Sequence, residues 1–220
     1  MIKGVIFDFD GTLTELTLDF GHLRTEIEKV ARRYVGDDHI KSQEGQYVIE
    51  MIYGVEGSLG EQADAFRREA FERLRELEME ASLEKEVYPY TRDVLRRLQE
   101  KGIKVGVITR SHVDVLNLVF PDITSYVDAI VTRDEVREVK PHPNHGTEVL
   151  RLLNLTPEEG ILVGDHPTDI LAGRSVGMKT AGVLSGRTTR KGFEEVGATY
   201  VLQDIREILE IVGNERMKYV

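Results

Sequence analysis

Two aspartates one residue apart, Asp8 and Asp10, close a short apolar run near the start of the chain, in KGVIFDFDGTL. Val5-Ile6-Phe7 is short and β-branched at its start, which predicts a buried strand. Side chains alternate along a strand, so Asp8 and Asp10 point to one side and Phe9 to the other. Two carboxylates leaving a buried strand together repel each other unless a cation or a proton lies between them. A hard divalent cation, which prefers oxygen ligands, suits that arrangement. The Asp-Gly step is also a turn signal, so the pair taken alone equally fits the end of a hairpin strand. A calcium-binding EF-hand loop is excluded, because Leu13 stands where such a loop starting at Asp8 needs Gly. A dinucleotide-binding fingerprint is excluded because its glycines are missing.

Further polar groups repeat that placement. Thr109 follows the run VGVI, with Arg110 and Ser111 beside it. Lys140 lies in Val139-Lys140-Pro141-His142-Pro143, after an apolar segment ending near Val131. Asp165 follows Ile161-Leu162-Val163-Gly164, and Asp169 stands four residues on. Each has an ordinary explanation by itself. Thr109 could cap a helix, Lys140 could be a solvated lysine before a rigid turn, Asp165 could sit in a turn, and Asp169 could be a carboxylate favoured by a helix dipole. All of them fall at strand exits, and that common placement points to one shared site.

The elements that must position these groups follow from the rhythm of the chain. From about Glu15 to Tyr88 the pattern is helical. Leu23, Ile27, Val30 and Tyr34 form one stripe, Tyr47, Val48, Met51 and Ile52 a second, and Phe66, Ala70, Leu74 and Leu77 a third. Glycines between them mark loops. From Thr91, read as a helix N-cap, helices and strands alternate. Strands are expected at 103–108, 126–131, 160–163, 178–183 and 199–202. Helices are expected after Thr91, at 113–119, 144–153 and 167–175, and from Asp204 to Ile211. This alternation predicts a doubly wound α/β fold with a parallel sheet covered on both faces. Residues 1–14 and 89–220 form its core, and 15–88 a small α-helical insert. In such folds ligands sit at the carboxyl ends of the strands, where strand order reverses.

With 220 residues the chain can hold one core and a small accessory unit. The apolar fraction of 40% and charged fraction of 31% describe a soluble globular protein, and no apolar run approaches the roughly 20 residues that span a bilayer. One Lys before the first strand does not read as a signal peptide. With no Cys there is no disulfide, thiolate metal site or Cys nucleophile, and a reducing cytoplasm is the expected setting. The net charge of −10 argues against nucleic acid as a partner and requires local cations to draw any phosphate.

Asp8-Phe9-Asp10-Gly11-Thr12-Leu13 resembles the first motif, DxDGT(L/V), of the haloacid dehalogenase-like hydrolase superfamily. Thr109 resembles the second motif, Lys140 in KPHP the third, and Gly164-Asp165-His166-Pro167-Thr168-Asp169 the fourth, GDxxxD. The likeness spans essentially the whole chain, and its nearest group is the phosphoglycolate-phosphatase-like branch with a helical C1-type cap. It implies a Mg²⁺-dependent phosphatase acting on a small phosphate ester. Asp8 would be the nucleophile that forms an aspartyl-phosphate, and Asp10 the general acid and then base. Mg²⁺ would be held by Asp8, the Asp10 carbonyl and Asp165, with Asp169 behind them. Thr109 and Lys140 would hold the phosphoryl group, next to the Gly11 backbone and, in one of two readings, Arg110. The cap would close over a small substrate, with His22, Arg24 and Lys41 as candidates to read its leaving group. Arg110 stands where this branch often has Asn, and His166 where it often has Ser or Thr. Two other functions stay open. A mutase resembling β-phosphoglucomutase is disfavoured by Gly164, where that branch usually has an acidic residue. A non-catalytic binding protein is disfavoured because Asp8, Asp10, Lys140 and Asp165 are all present.

Overall fold

The computed structural model describes residues 1–217. The chain forms two compact units, residues 1–16 with the chain from Lys85 onward, and Thr17–Glu84. The sequence pattern changes two residues before the first division and four after the second, because the flanking segments pair with each other. The Glu15 amide donates to the Glu86 carbonyl at 3.0 Å and the Tyr88 amide to the Leu13 carbonyl at 3.1 Å, around a Thr14–Val87 bridge.

The first unit is a six-stranded parallel sheet. Its strands are β1 (Gly4–Phe7), β2 (Lys104–Ile108), β3 (Ala129–Val131), β4 (Gly160–Gly164), β5 (Lys179–Val183) and β6 (Tyr200–Leu202), in the order β3-β2-β1-β4-β5-β6. The order reverses at β1, which pairs with β2 on one side and β4 on the other. All four residues of β1 are buried. Ile6 lies opposite Gly106 and Leu162, and it packs with Ile108, Val149 and Leu153. Truncating such a side chain typically costs about 2–5 kcal/mol. The sheet therefore fixes the start of the Asp8–Asp10 segment rigidly.

Ten α-helices lie among the described residues. In the helical unit these are α1 (Phe20–Ala31), α2 (Asp37–Ser42), α3 (Val48–Glu56) and α4 (Ala63–Ala81). Asp19 caps α1 by accepting from the Gly21 and His22 amides at 3.0 and 3.1 Å. Leu23, Ile27 and Val30 of α1 and Phe66, Ala70, Leu74 and Leu77 of α4 are buried. In the α/β unit the helices are α5 (Thr91–Glu100), α6 (Val113–Val119), α7 (Pro143–Leu153), α8 (Pro167–Ser175), α9 (Arg190–Glu195) and α10 (Ile208–Met217).

Four elements differ from the sequence pattern. Thr91 is not a cap. It is the first residue of α5, and its hydroxyl donates to the Leu13 carbonyl at 2.7 Å. The strand expected from Tyr126 starts at Ala129, after a 3-10 turn at Ile123–Ser125. Asp204 caps a 3-10 turn at Ile205–Glu207 by accepting from the Arg206 amide at 2.9 Å, and α10 follows it. Helix α9 is additional, capped by Thr189.

Candidate active site

The carboxyl end of β1 leads directly into Asp8. The Asp8 amide donates to the Val163 carbonyl at 2.8 Å, so the sheet continues one residue past the strand. Gly11 turns the chain with φ +83, a conformation that favours glycine. Asp8, Asp165 and Asp169 are all buried, and one carboxylate oxygen from each lies within 4.8 Å of the others. Lys140 is 1% exposed, and its ammonium reaches this cluster from the loop before α7. It donates to Asp8 Oδ1 at 2.5 Å, Asp169 Oδ1 at 2.7 Å and the Ile108 carbonyl at 3.1 Å.

Local sequence fixes each of these groups. In GDHPTD, His166 is the N-cap of α8 and Asp169 its third residue. Asp169 Oδ2 accepts from the His166 amide at 3.0 Å, which leaves Oδ1 for Lys140. His166 is thus a capping residue, with its Nδ1 2.9 Å from Thr168 Oγ1. Buried His145 holds the Lys140 backbone. Its Nδ1 accepts from the Lys140 amide at 3.1 Å, and its Nε2 lies 2.9 Å from the Val131 carbonyl. An amide can only donate, so the proton of the neutral ring sits on Nε2. Burial and then the Lys140 charge push His145 down to about 3, so it stays neutral.

The second aspartate has a different environment. Asp10 Oδ2 accepts from Ser111 Oγ at 2.7 Å and from Thr109 Oγ1 at 3.3 Å, and Lys85 forms an ion pair with Oδ1. Burial alone would raise the Asp10 carboxyl, but the Lys85 charge and hydrogen bond, the Ser111 hydroxyl and the Lys140 charge together outweigh it and hold the group below the usual range. Asp8 goes the other way: burial, helped by Asp169 and Asp10, raises it despite Lys140. Asp165 is raised too, by burial and by the Asp8 and Asp169 charges. Burial would lower the Lys140 ammonium, but Asp169 and Asp8 raise it on balance.

A cation fits this set. Three buried carboxylates lie together beside one lysine, which bonds Asp8 and Asp169, and burial with the charges of neighbouring carboxylates pushes Asp8 and Asp165 up. The donor set is all oxygen, which suits a hard divalent ion. The space around Asp165 is also shaped for its carboxylate. A side chain at Gly11 or at Gly186 would collide with it. A side chain at Gly164 would likewise strike the Asp169 carboxylate, which gives a steric reason for glycine before Asp165.

Asp8, Asp165, Asp169 and Lys140 therefore meet at one point, and Asp10, Thr109 and Ser111 form an adjoining cluster. Arg110 is engaged differently. Its Nη1 donates to the Lys140 carbonyl at 2.6 Å, and Arg133 Nη1 donates to the Arg110 carbonyl at 3.1 Å. In the helical unit Arg24 binds Glu28 and the Gln46 and Gln43 carbonyls. Lys85, Ser111 and His145 are absent from the sequence-derived set of roles. Ser111 stands two residues after Thr109 in the sequence, whereas Lys85 and His145 carry no signal beyond their residue type.

A sheet reversing at β1, with an acidic cluster and a buried lysine at that reversal, defines a doubly wound α/β protein. More narrowly, residues 5–183 match the family model described as haloacid dehalogenase-like hydrolase, and the chain belongs to that family. Among curated relatives, a protein named pyrophosphatase PpaX from Anoxybacillus flavithermus is 37% identical over 132 residues, 57% of this chain and 60% of the relative. That match thus spans about three-fifths of the relative's own length. Proteins of the same name from Bacillus mycoides and Oceanobacillus iheyensis align almost end to end, at 29% over 218 residues and 25% over 219. They cover 96% and 97% of this chain, and 97% and 98% of the relatives. A hydrolase from Pseudomonas syringae superposes with TM-score 0.70 at 23% identity, covering 96% of this chain and 98% of that one. CbbY from Rhodobacter sphaeroides, in complex with phosphate, gives 0.63 at 21%, covering 94% and 96%. At these identities the two structures show the shared fold.

Proposed function

We propose that the protein is a Mg²⁺-dependent phosphatase of small phosphate-bearing substrates, acting through an aspartyl-phosphate on Asp8. The observation that carries this reading is the Lys140–Asp8 contact at 2.5 Å inside a buried triad of aspartates. A carboxylate so placed is oriented for attack on phosphorus, and Lys140 neutralises it and the arriving phosphoryl oxygens. Asp165, a carboxylate of Asp8 and the Asp10 carbonyl would hold Mg²⁺, which when bound supplies charge stabilisation for phosphoryl transfer. Asp169 would orient Lys140 from behind. Asp10 would protonate the leaving oxygen and later deprotonate water, and Thr109 with the Gly11 backbone would contact the phosphoryl group. Arg110, on the Lys140 carbonyl, would steady the Lys140 loop. The helical unit would act as a cap that excludes water. A cytoplasmic setting fits the absence of cysteine. The resemblance favours a monoester such as phosphoglycolate, and the names of the relatives add pyrophosphate.

The test is phosphate release with Mg²⁺ from phosphoglycolate, sugar phosphates, p-nitrophenyl phosphate and pyrophosphate. Release is expected from the wild type and is expected to vanish in Asp8→Asn with the fold retained. Turnover that survives that substitution would sink the nucleophile assignment.

A further inference from the structure

We propose that Lys85 is a positioning residue that fixes the Asp10 carboxylate at the leaving-group side of the site, an inference that rests on the phosphatase reading above. Lys85 is 75 residues from Asp10 in sequence, and the paired segments 13–15 and 86–88 bring it alongside. Its side chain is fully buried, with its ammonium 5.6 Å from the centre of the Phe9 ring. Phe9, turned away from the two aspartates, thus underlies the cation that holds the second of them. An ammonium taken out of water is costly unless it is paired, so the ion pair with Asp10 is what lets Lys85 occupy the interior.

The rest of the Asp10 environment gives the pair its direction. A carboxylate offers about four lone-pair sites. Lys85 fills one on Oδ1, and the Ser111 and Thr109 hydroxyls fill two on Oδ2. The Asp10 side chain is 13% exposed and that of Lys85 is 0% exposed, so solvent and substrate meet the carboxylate and not the ammonium. Each catalytic aspartate has its own lysine. Lys140 serves the nucleophile, and Lys85 serves the group that faces the leaving oxygen. As the acid, Asp10 carries its proton on the remaining Oδ1 site and passes it to that oxygen, which leaves a carboxylate paired with Lys85 to take the proton of the attacking water; three donors keep the group from swinging away during both transfers.

Loss of Lys85 should therefore hurt most where the leaving group most needs help. The experiment compares kcat/KM for phenyl phosphate, whose phenolate is strongly basic, with p-nitrophenyl phosphate, whose leaving group departs readily. Wild type, Lys85→Met and Lys85→Arg are measured with Mg²⁺, alongside their melting temperatures. General acid–base catalysis contributes roughly 10²–10⁴-fold, so Lys85→Met is expected to lose at least about 30-fold on phenyl phosphate and under about 3-fold on p-nitrophenyl phosphate. Lys85→Arg should recover most of the loss on phenyl phosphate. In an Asp10→Asn background, where both buried charges can be removed together, Lys85→Met should change neither rate further, and this pair remains informative if the single variant fails to fold. An equal fall on both esters, no fall on either, or an additional fall in the Asp10→Asn background would overturn the positioning role. Wild-type protein that releases phosphate from neither ester, or release that persists in Asp8→Asn, would instead sink the phosphatase reading and this role with it.

Discussion

Two sets of ion pairs, one from the surface of the helical unit and one from the interior of the α/β unit, use the same chemistry under opposite conditions. In the helical unit, Arg73 bridges Glu26 at 2.9 Å and Glu76 at 3.0 Å while 33% of its side chain stays exposed. Arg67 reaches Glu56 at 2.8 Å and Arg24 reaches Glu28 at 2.9 Å, also with water at hand. In the α/β unit, Lys140 has no such access and is surrounded by Asp8, Asp169 and the Ile108 carbonyl. Water screens and replaces the pairs of the first kind, so they contribute little and lose little when broken. Pairs of the second kind persist only as complete sets, because removing one partner leaves the others charged in a poor solvent. The contrast separates charges that decorate a helix from charges that hold reactive geometry.

The largest break in that contrast should come at Lys140. Lys140→Met is expected to lower kcat/KM at least about 10²-fold, as loss of a fixed charge stabiliser does, and a loss under about 3-fold would return Lys140 to a structural role. Divalent-cation binding should sharpen the same comparison without any turnover. Saturating Mg²⁺ is expected to raise the wild-type melting temperature by about 3–8 °C, since a ligand that binds only the folded state stabilises it. In Asp165→Asn that shift should disappear, and an undiminished shift would place the cation elsewhere.

A smaller effect is expected at His145. The unfolded chain titrates near 6.5 there, and the folded protein at about 3. Between these values the unfolded state binds more protons, so stability rises with pH. The stability of wild type relative to His145→Asn should therefore fall as pH drops from about 6.5 toward about 3, and stay flat above that window. Urea unfolding of both proteins across this range checks it, and a flat difference would mean that His145 is charged or exposed. The smallest effect belongs to the helical unit. Arg73→Ala should move the melting temperature by no more than about 2 °C, less still in high salt. A larger shift would show that its surface network acts as one cooperative unit.

Much of this site is readable in the chain. Asp8 and Asp165 announce themselves because an apolar run ending in a carboxylate is a local pattern, and the parallel sheet converts that pattern into proximity. Lys140 is legible by the same logic, one loop further from its strand. Lys85 is not. It stands among charged residues in LEKEVY, and only the non-local pairing of 13–15 with 86–88 buries it. His145 looks like one more polar residue at a helix start, and its role depends on the Val131 carbonyl across the fold. Arg110 shows the reverse case: its type suits phosphate, yet its guanidinium serves a backbone carbonyl. Thr91 suggested a cap and instead ties α5 to the loop after Asp10. In each case residue type gave the available chemistry, and a partner distant in sequence chose among the uses.

Gly186, in the loop after β5, offers no charge and no nucleophile, yet it faces a tight steric demand. Gly186 abuts the Asp165 carboxylate so closely that even a methyl group would collide with it, and the neighbouring Ser185 hydroxyl donates to the Gly11 carbonyl at 2.7 Å. Sequence drift at position 186 is thus confined as narrowly as at a reacting residue. A saturation survey of this chain would record intolerance at a position that offers no functional group, because what it supplies is room.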